Sequence, residues 1–400
     1  MALSNVWVHP ISNCLTITGF FYHFGLQADG SRVAEAASME MTGYNDDNWK
    51  KIALPHDWAI EGPFRIDLPG ESGKLPYKGI GCYRKYFDVP LYDKGKQFFL
   101  DFDGAMANAQ VWVNGNYAGG WPYGYTSFRI DLTPFLRYGQ KNLVAVKLNT
   151  EKWDARWYSG AGIYRHVWLV KTNVVHVAHW GAFITTPEVS KEMATIKLDV
   201  TLDNQGKLNE EVVVKTEVFE LDINNKLKSK VATTDEKMVV INTGKTITLS
   251  FQTIISNPKL WDVVSPNRYM AQTTVKVKCV VVDTYNTPFG VRTIKFTHDN
   301  GFLLNGKRGQ IQGVCNHHDL GALGAAINTS ALRRQLTILK EMGCNAIRTS
   351  HNPPAPELLE LADKMGFLIM DEAFDCWRHG KKRMIILSSL RNGMSAIWQH

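Results

Sequence analysis

Three clusters of polar residues, each at the end of a short apolar run, carry the chemistry legible in this sequence. Asn316-His317-His318-Asp319 follows residues 310–315. Arg348-Thr349-Ser350-His351-Asn352 closes the run at 344–348. Asp371-Glu372 and Asp375 follow 367–370. Histidine, arginine, asparagine and carboxylate groups together suit a polyhydroxylated ligand, because every hydroxyl needs a donor or an acceptor. Phe374 and Trp377 add rings on which the apolar face of a sugar can stack. One such cluster could simply cap a strand; three in succession favour a site. A zinc centre at His317, His318 and His351 is the rival reading, although no recognisable further ligand accompanies them.

The elements that must position these groups read as parallel βα winding. Residues 310–315, 344–348 and 367–370 are strands. Between the first two, Asn328-Thr329-Ser330 supplies a helix N-cap. Leu332, Leu336, Leu339 and Met342 form the apolar stripe, and Gly343 is the stop. Pro353–Pro356 opens a second helix that turns Leu358, Leu359 and Ala362 inward and ends at Gly366. Strand, helix, strand, helix, strand is how a (β/α)8 barrel begins, and polar groups at the strands' C-terminal ends lie where such barrels do chemistry. Cys315 and Cys344 fall in these strands and read as small core residues.

Upstream the chain is β-rich. Residues 1–175 show short strands at 82–89, 97–102, 109–114 and 142–148, with the turn pair Asn114-Gly115, which indicates a jelly-roll sandwich. Near its end, residues 153–165 (WDARWYSGAGIYR) crowd aromatic and charged groups around Gly160 and Gly162. This loop either leans into a neighbouring site, offering Asp154 or Arg156 to a hydroxylated ligand, or it is an interdomain strut; both readings stand. Residues 176–297 carry strands at 195–202, 211–219, 245–251 and 269–282 and read as an immunoglobulin-like sandwich that acts as a spacer. Residues 298–306 form a hairpin-like entry to a third domain, the start of the barrel, over 298–382.

Composition bounds the rest. The chain has 400 residues, 44% of them hydrophobic, enough for two to four domains. Twelve tryptophans fit bulky sandwich cores. The net charge of +7 comes from scattered basic residues, which argues against nucleic-acid binding. Six dispersed cysteines form no CxxC pair. No apolar run reaches transmembrane length, and residues 1–21 lack the basic and apolar regions of a signal peptide, so bacterial cytoplasm and periplasm both remain open.

The residues at 345–353 (NAIRTSHNP), with Asp363 and 366–370 (GFLIM), resemble the signature of glycoside hydrolase family 2, which includes β-galactosidases, β-glucuronidases and β-mannosidases. Earlier pieces agree in order: PHDW at 55–58, VWVNG at 111–115, RWYSGAGIYR at 156–165, Leu260-Trp261 before Pro266, FGVR at 289–292 and GVCNHHD at 313–319. The resemblance spans about residues 45–382, and the bacterial β-galactosidase branch looks closest. It implies a sugar-binding jelly roll, an immunoglobulin-like domain and a TIM barrel. It also implies hydrolysis of terminal β-D-galactosides with retention, no cofactor, and a homo-oligomer in the intact family. By the same resemblance His317 and His351 match substrate-contacting histidines, Arg348 a supporting arginine, Asp371 and Glu372 the acidic pair after the third strand, and Asp154, less closely, a substrate-contacting aspartate. Asn352 departs from the pattern, which has an aromatic there. The metal-ligating positions of some members fall near Cys376, so no metal is carried over.

A retaining glycosidase needs two carboxylates about 5–5.5 Å apart. The resemblance puts both on later barrel strands, yet no Asp or Glu follows Asp375. The chain holds about two and a half of a barrel's eight βα units. The expectation is a truncated member, inactive alone. Residues 383–400 are foreign to the family pattern; a shifted reading frame with permissible codons would give N-D-Y-x-x-F-F-E-E-W-x-E-R-D, which resembles it. Two rivals stand beside this reading. One is a non-catalytic carbohydrate-binding β-sandwich protein that uses the first domain. The other is a chain without stable structure past about residue 297.

Overall fold

The computed structural model describes residues 14–16, 20–24, 38–151 and 155–375. The expectations for Asp154, Cys376, Trp377 and the 383–400 tail lie outside them. Among the described residues no helix is long and apolar enough to cross a membrane.

The first sandwich packs a six-stranded sheet on a four-stranded one. The larger runs Lys50–Ile52, Phe20–Phe24, Ile80–Val89, Gln140–Asn149, Ala109–Val113, Asn116–Trp121; the smaller runs Cys14–Thr16, Val167–Thr172, Gln97–Phe102, Phe128–Asp131. Alternation builds it: along Ala109–Val113, Ala109, Val111 and Val113 are buried while Gln110 is exposed. Within the smaller sheet Phe102 stacks on its cross-strand partner Phe128 at a centroid distance of 4.7 Å, and both rings lie in the core. Ala325 and Phe374, from the barrel segment, belong to this same core.

The second sandwich places the sheet Val175–Val189, Met193–Asn204, Lys245–Ser256 against a five-stranded sheet built on Glu210–Leu221 and Tyr269–Val277. Residues 269–282 are not one strand, as expected, but two. The chain reverses at Lys278-Cys279, both with positive φ (49° and 64°), and Val280–Phe289 returns beside Tyr269–Val277. A two-residue turn of this kind usually announces itself with Asn or Gly.

Strands and helices continue past residue 297, the last of them ending at Met370. A hairpin of Ile294–Thr297 and Gly301–Leu304 leads to the barrel segment. Its strands are β1 (Gly313–Asn316), β2 (Ala346–Thr349) and β3 (Leu368–Met370), parallel in that order; its helices are α1 (Thr329–Glu341) and α2 (Pro356–Met365). Asn328 caps α1 by accepting from Ala331 N at 2.9 Å. Gly366 ends α2 in the left-handed region. Val314, Ile347 and Ile369 pair across the sheet and pack with Leu336, Leu339, Leu361 and Ala362 of the helices.

The helical stripes need one correction and one addition. Met342 is 70% exposed, because α1 ends one residue earlier and Met342 is its C-cap. On α2 the fully buried leucines are Leu359 and Leu361, with Leu358 half-buried. Cys315 is exposed rather than a core residue, because it shares a register row with Arg348 and Met370 on the sheet face away from the helices.

Candidate active site

The parallel register brings the three polar clusters to one edge of the sheet, since His317, Ser350-His351 and Asp371-Glu372 all follow strand ends. His351 Nδ1 lies 2.7 Å from Glu372 Oε2. A carboxylate only accepts, so Nδ1 carries the proton, and Nε2 is the ring nitrogen turned away from this clamp. Arg348 Nη2 sits 3.3 Å from the same Nδ1, but its ion pair is with Glu372 Oε1. Glu372 thus commits one oxygen to each neighbour. Thr349 Oγ1 donates to Asp371 Oδ1 at 3.1 Å and accepts from Glu372 N at 3.2 Å, which fixes the acidic pair on the end of β2.

His317 is exposed and packs edge-to-face on His351, with centroids 5.6 Å apart and planes at 83°. Desolvation, with the His351 ring beside it, holds the His317 pKa below the usual histidine value. A neutral imidazole both donates and accepts, which is what a sugar hydroxyl requires.

His318 has a different role. Its Nε2 lies 3.1 Å from the Ser159 carbonyl, so that nitrogen is the protonated one. The ring packs on Tyr125 and Tyr164, and its Nδ1 is enclosed without a hydrogen-bond partner. Burial pushes its pKa down to about 3. His318 therefore anchors the first sandwich and does not converge with His317 and His351 as a zinc ligand set would. Asn352, at the position that departs from the family pattern, is buried with Nδ2 unpartnered.

The 155–165 loop of the first sandwich reaches this edge. Arg156 Nη2 bonds both oxygens of Asp375 at 2.9 and 3.0 Å. Trp157 stacks on His317 and meets His351 edge-on. Tyr123 Oη donates to Ala373 O at 2.9 Å. The loop is thus both an interdomain strut and a wall of the site. Sequence reasoning picked out its charged residues and missed Trp157; the signal was its place in RWYSGAGIYR, one residue beyond Arg156.

Among the described residues, Asp103, His166 and Glu357 bring metal-type ligand atoms within 4.8 Å of one another. They lie where the first sandwich meets α2. His166 Nδ1 already bonds Glu357 Oε1, and Trp168 Nε1 donates to Asp103 Oδ2 at 2.7 Å. These groups serve as a polar contact between the two bodies.

Three models of one family match the chain in succession. Residues 30–173 match the sugar-binding domain of glycosyl hydrolases family 2, residues 175–292 its central domain, and residues 295–392 its TIM-barrel domain. The chain belongs to glycosyl hydrolase family 2. The likeness starts before residue 45 and runs past residue 382, beyond both limits expected from motifs. A β-galactosidase of Bacteroides ovatus is 45% identical over 363 residues, covering 90% of this chain and 41% of that protein. A β-glucuronidase of Bacteroides fragilis is 30% identical over 336 residues, covering 81% of this chain and 46% of that protein. The crystal structure of a family 2 member from Bacteroides cellulosilyticus superposes with a TM-score of 0.88 at 34% identity, over 96% of this chain and 49% of that one. This family 2 chain therefore spans under half the length of these relatives.

Proposed function

We propose that these 400 residues form the sugar-gripping part of a retaining glycosidase for terminal β-D-galactosides. The grip is His317, His351 and the clamp of Arg348, Asp371 and Glu372. Asp154 and a homo-oligomeric state belong to the same reading through the family resemblance. The observation that carries the choice of sugar is charge. Among the described residues the two partly exposed guanidiniums at this edge are neutralised in place, Arg348 by Glu372 and Arg156 by Asp375. A uronate would need a cation to meet its carboxylate, whereas a neutral galactoside asks only for hydroxyl partners. The 45% identical relative carries the name β-galactosidase, against 38% for a relative named as a putative β-glucuronidase.

The chemistry of retention needs one carboxylic acid to protonate the leaving oxygen and one carboxylate to attack the anomeric carbon. The last acidic residues of the sequence are Asp371, Glu372 and Asp375. Each is engaged, with Thr349, with Arg348 and His351, and with Arg156. The chain on its own therefore binds without turnover.

The test is an NMR titration of the purified chain with methyl β-D-galactopyranoside and with methyl β-D-glucuronide, beside an assay with a chromogenic β-galactoside. Tighter binding of the galactoside, its loss in His317→Ala, and no released chromophore are expected. Preference for the glucuronide overturns the choice of sugar. Turnover overturns the claim of inactivity. Binding unchanged in His317→Ala moves the sugar site to the first sandwich.

A further inference from the structure

Trp157 belongs to the first sandwich, yet its ring touches the two barrel histidines at the centre of the proposed grip. It stacks on His317 at 5.4 Å with planes 26° apart. It meets His351 at 5.5 Å and 64°. With the His317–His351 contact at 5.6 Å, the three rings close a triangle. An imidazole in such a triangle has little freedom to rotate about χ2, a torsion that is otherwise broad.

The indole is itself held from behind. Trp157 Nε1 donates to Tyr125 Oη at 3.0 Å, and Tyr125 is 2% exposed in the first sandwich's core. On either side the loop is pinned, by Arg156 to Asp375 and by Tyr158 Oη to Asp57 Oδ2 at 2.6 Å. These side contacts already fasten the loop, so the indole is not needed as a strut. His351 has the Glu372 clamp as a second restraint. His317 has the two rings and a bond to the Ser350 backbone.

We propose that Trp157 is a positioning residue for the sugar site, through which the first sandwich sets the ring planes of His317 and His351. This rests on the reading that those histidines meet sugar hydroxyls. The directions of the ring nitrogens of both histidines then depend on a side chain 160 residues before His317 and 194 before His351, and the site is complete only when the first sandwich is docked. Such pre-organisation raises affinity by removing the cost of ordering two rotors on binding.

The experiment uses the full chain and needs no sugar for its first arm. Histidine ring resonances are assigned from the spectra of His317→Ala and His351→Ala, then followed by pH titration in wild type, Trp157→Leu, Trp157→Phe and Tyr125→Phe. In Trp157→Leu both rings shift, and the His317 midpoint rises toward that of an ordinary histidine. Trp157→Phe restores most of the wild-type pattern. Tyr125→Phe, which removes the indole's acceptor and keeps the ring, shifts both rings less. If Trp157→Leu does not fold, Tyr125→Phe carries the same test. Unmoved His317 and His351 resonances in a folded variant overturn the proposal. The second arm measures methyl β-D-galactopyranoside affinity, with a loss of about tenfold expected in Trp157→Leu. Shifted histidines in a protein whose wild type binds no galactoside leave the positioning role standing and refute the sugar reading instead. Unshifted histidines with intact binding do the reverse.

Discussion

At the joint between the first sandwich and the barrel segment, buried side chains do the holding. Asp57 accepts from the backbone of Ala59, Ala161 and Ala325 and from Tyr158 Oη. Arg165 reaches the carbonyls of Asp103, Tyr125 and Pro353. Backbone passes so close that a Cβ at Gly160 or Gly324, both at positive φ, would come within 2.4 Å of Ala325 Cβ or Asp57 Oδ2. At the joint between the second sandwich and the same barrel segment, contacts go to the outer ends of the helices. Trp261 Nε1 donates to Asp363 O at 2.9 Å, Asn225 Nδ2 to Glu360 Oε1 at 2.9 Å, and Lys340 Nζ to Val263 O at 2.7 Å. The first joint ends at the histidines; the second is on the far side of the helices from them. One sandwich shapes the site and the other supports it.

The largest expected effects separate these roles. Asp57→Ala strands three buried N–H groups and a tyrosine hydroxyl, a loss on the order of 3–5 kcal/mol. Trp261→Ala removes a side chain only 1% exposed and costs about as much. The two differ in what else they change. Asp57→Ala releases the 158–161 loop and shifts the ring resonances of His317 and His351. Trp261→Ala lowers the urea midpoint and leaves those resonances in place. Histidine shifts in Trp261→Ala, or none in a folded Asp57→Ala, would break the division between the joints.

Smaller and pH-dependent effects come from a buried carboxyl at each joint. Burial, with Glu357 charged beside it, pushes Asp103 up to about 7. Desolvation pulls the neighbouring His166 down, but its bond to Glu357 outweighs that and leaves its pKa raised. Burial pushes Asp363 up to about 7 although Arg292 and Arg268 pull the other way. A carboxyl raised in the fold binds its proton there long after the unfolded chain has lost it. Its contribution is whole below the unfolded pKa of about 3.9 and falls as pH rises toward 7. Raised His166 acts in the same sense, through its folded pKa. His318, pushed down to about 3, acts in the opposite one, costing stability below about pH 6.5. Difference curves remove that background. Asp103→Asn gains about 2 kcal/mol on wild type between pH 5 and pH 8, read from urea unfolding at each pH. Asp363→Asn gains with the same sign. A flat difference curve for either variant would mean that its carboxyl is ionised in the fold at pH 5.

Much of the supporting architecture was legible because it rests on local rules. Alternation marks the sandwich strands, Asn328 caps α1, and Gly366 stops α2. What escaped depends on contacts remote in sequence or on unusual turn residues. Lys278-Cys279 turns without a glycine or asparagine. PHDW at 55–58 was visible as a motif, but the role of Asp57 needs Ala325, 268 residues later. The strand-end polar groups were legible as a cluster, while the commitment of Glu372 to Arg348 and His351 required three-dimensional register. Trp157 reads from sequence as one aromatic among twelve tryptophans, and only its ring contacts distinguish it.

The smallest expected effect tests whether the first joint is strong everywhere or only where it is buried. Arg156 is 49% exposed, and Asp375, its partner, 19%. An ion pair in that setting is screened by water and must hold a long side chain still, so Arg156→Ala costs less than about 1 kcal/mol. Its effect on the ligand is larger than its effect on the fold, because the Arg156–Asp375 pair lies at the site's edge. Methyl β-D-galactopyranoside binding should then weaken while the unfolding midpoint hardly moves. A midpoint that drops as far as in Asp57→Ala would mean that the rim holds the sandwich on the barrel as firmly as the buried core of the joint does.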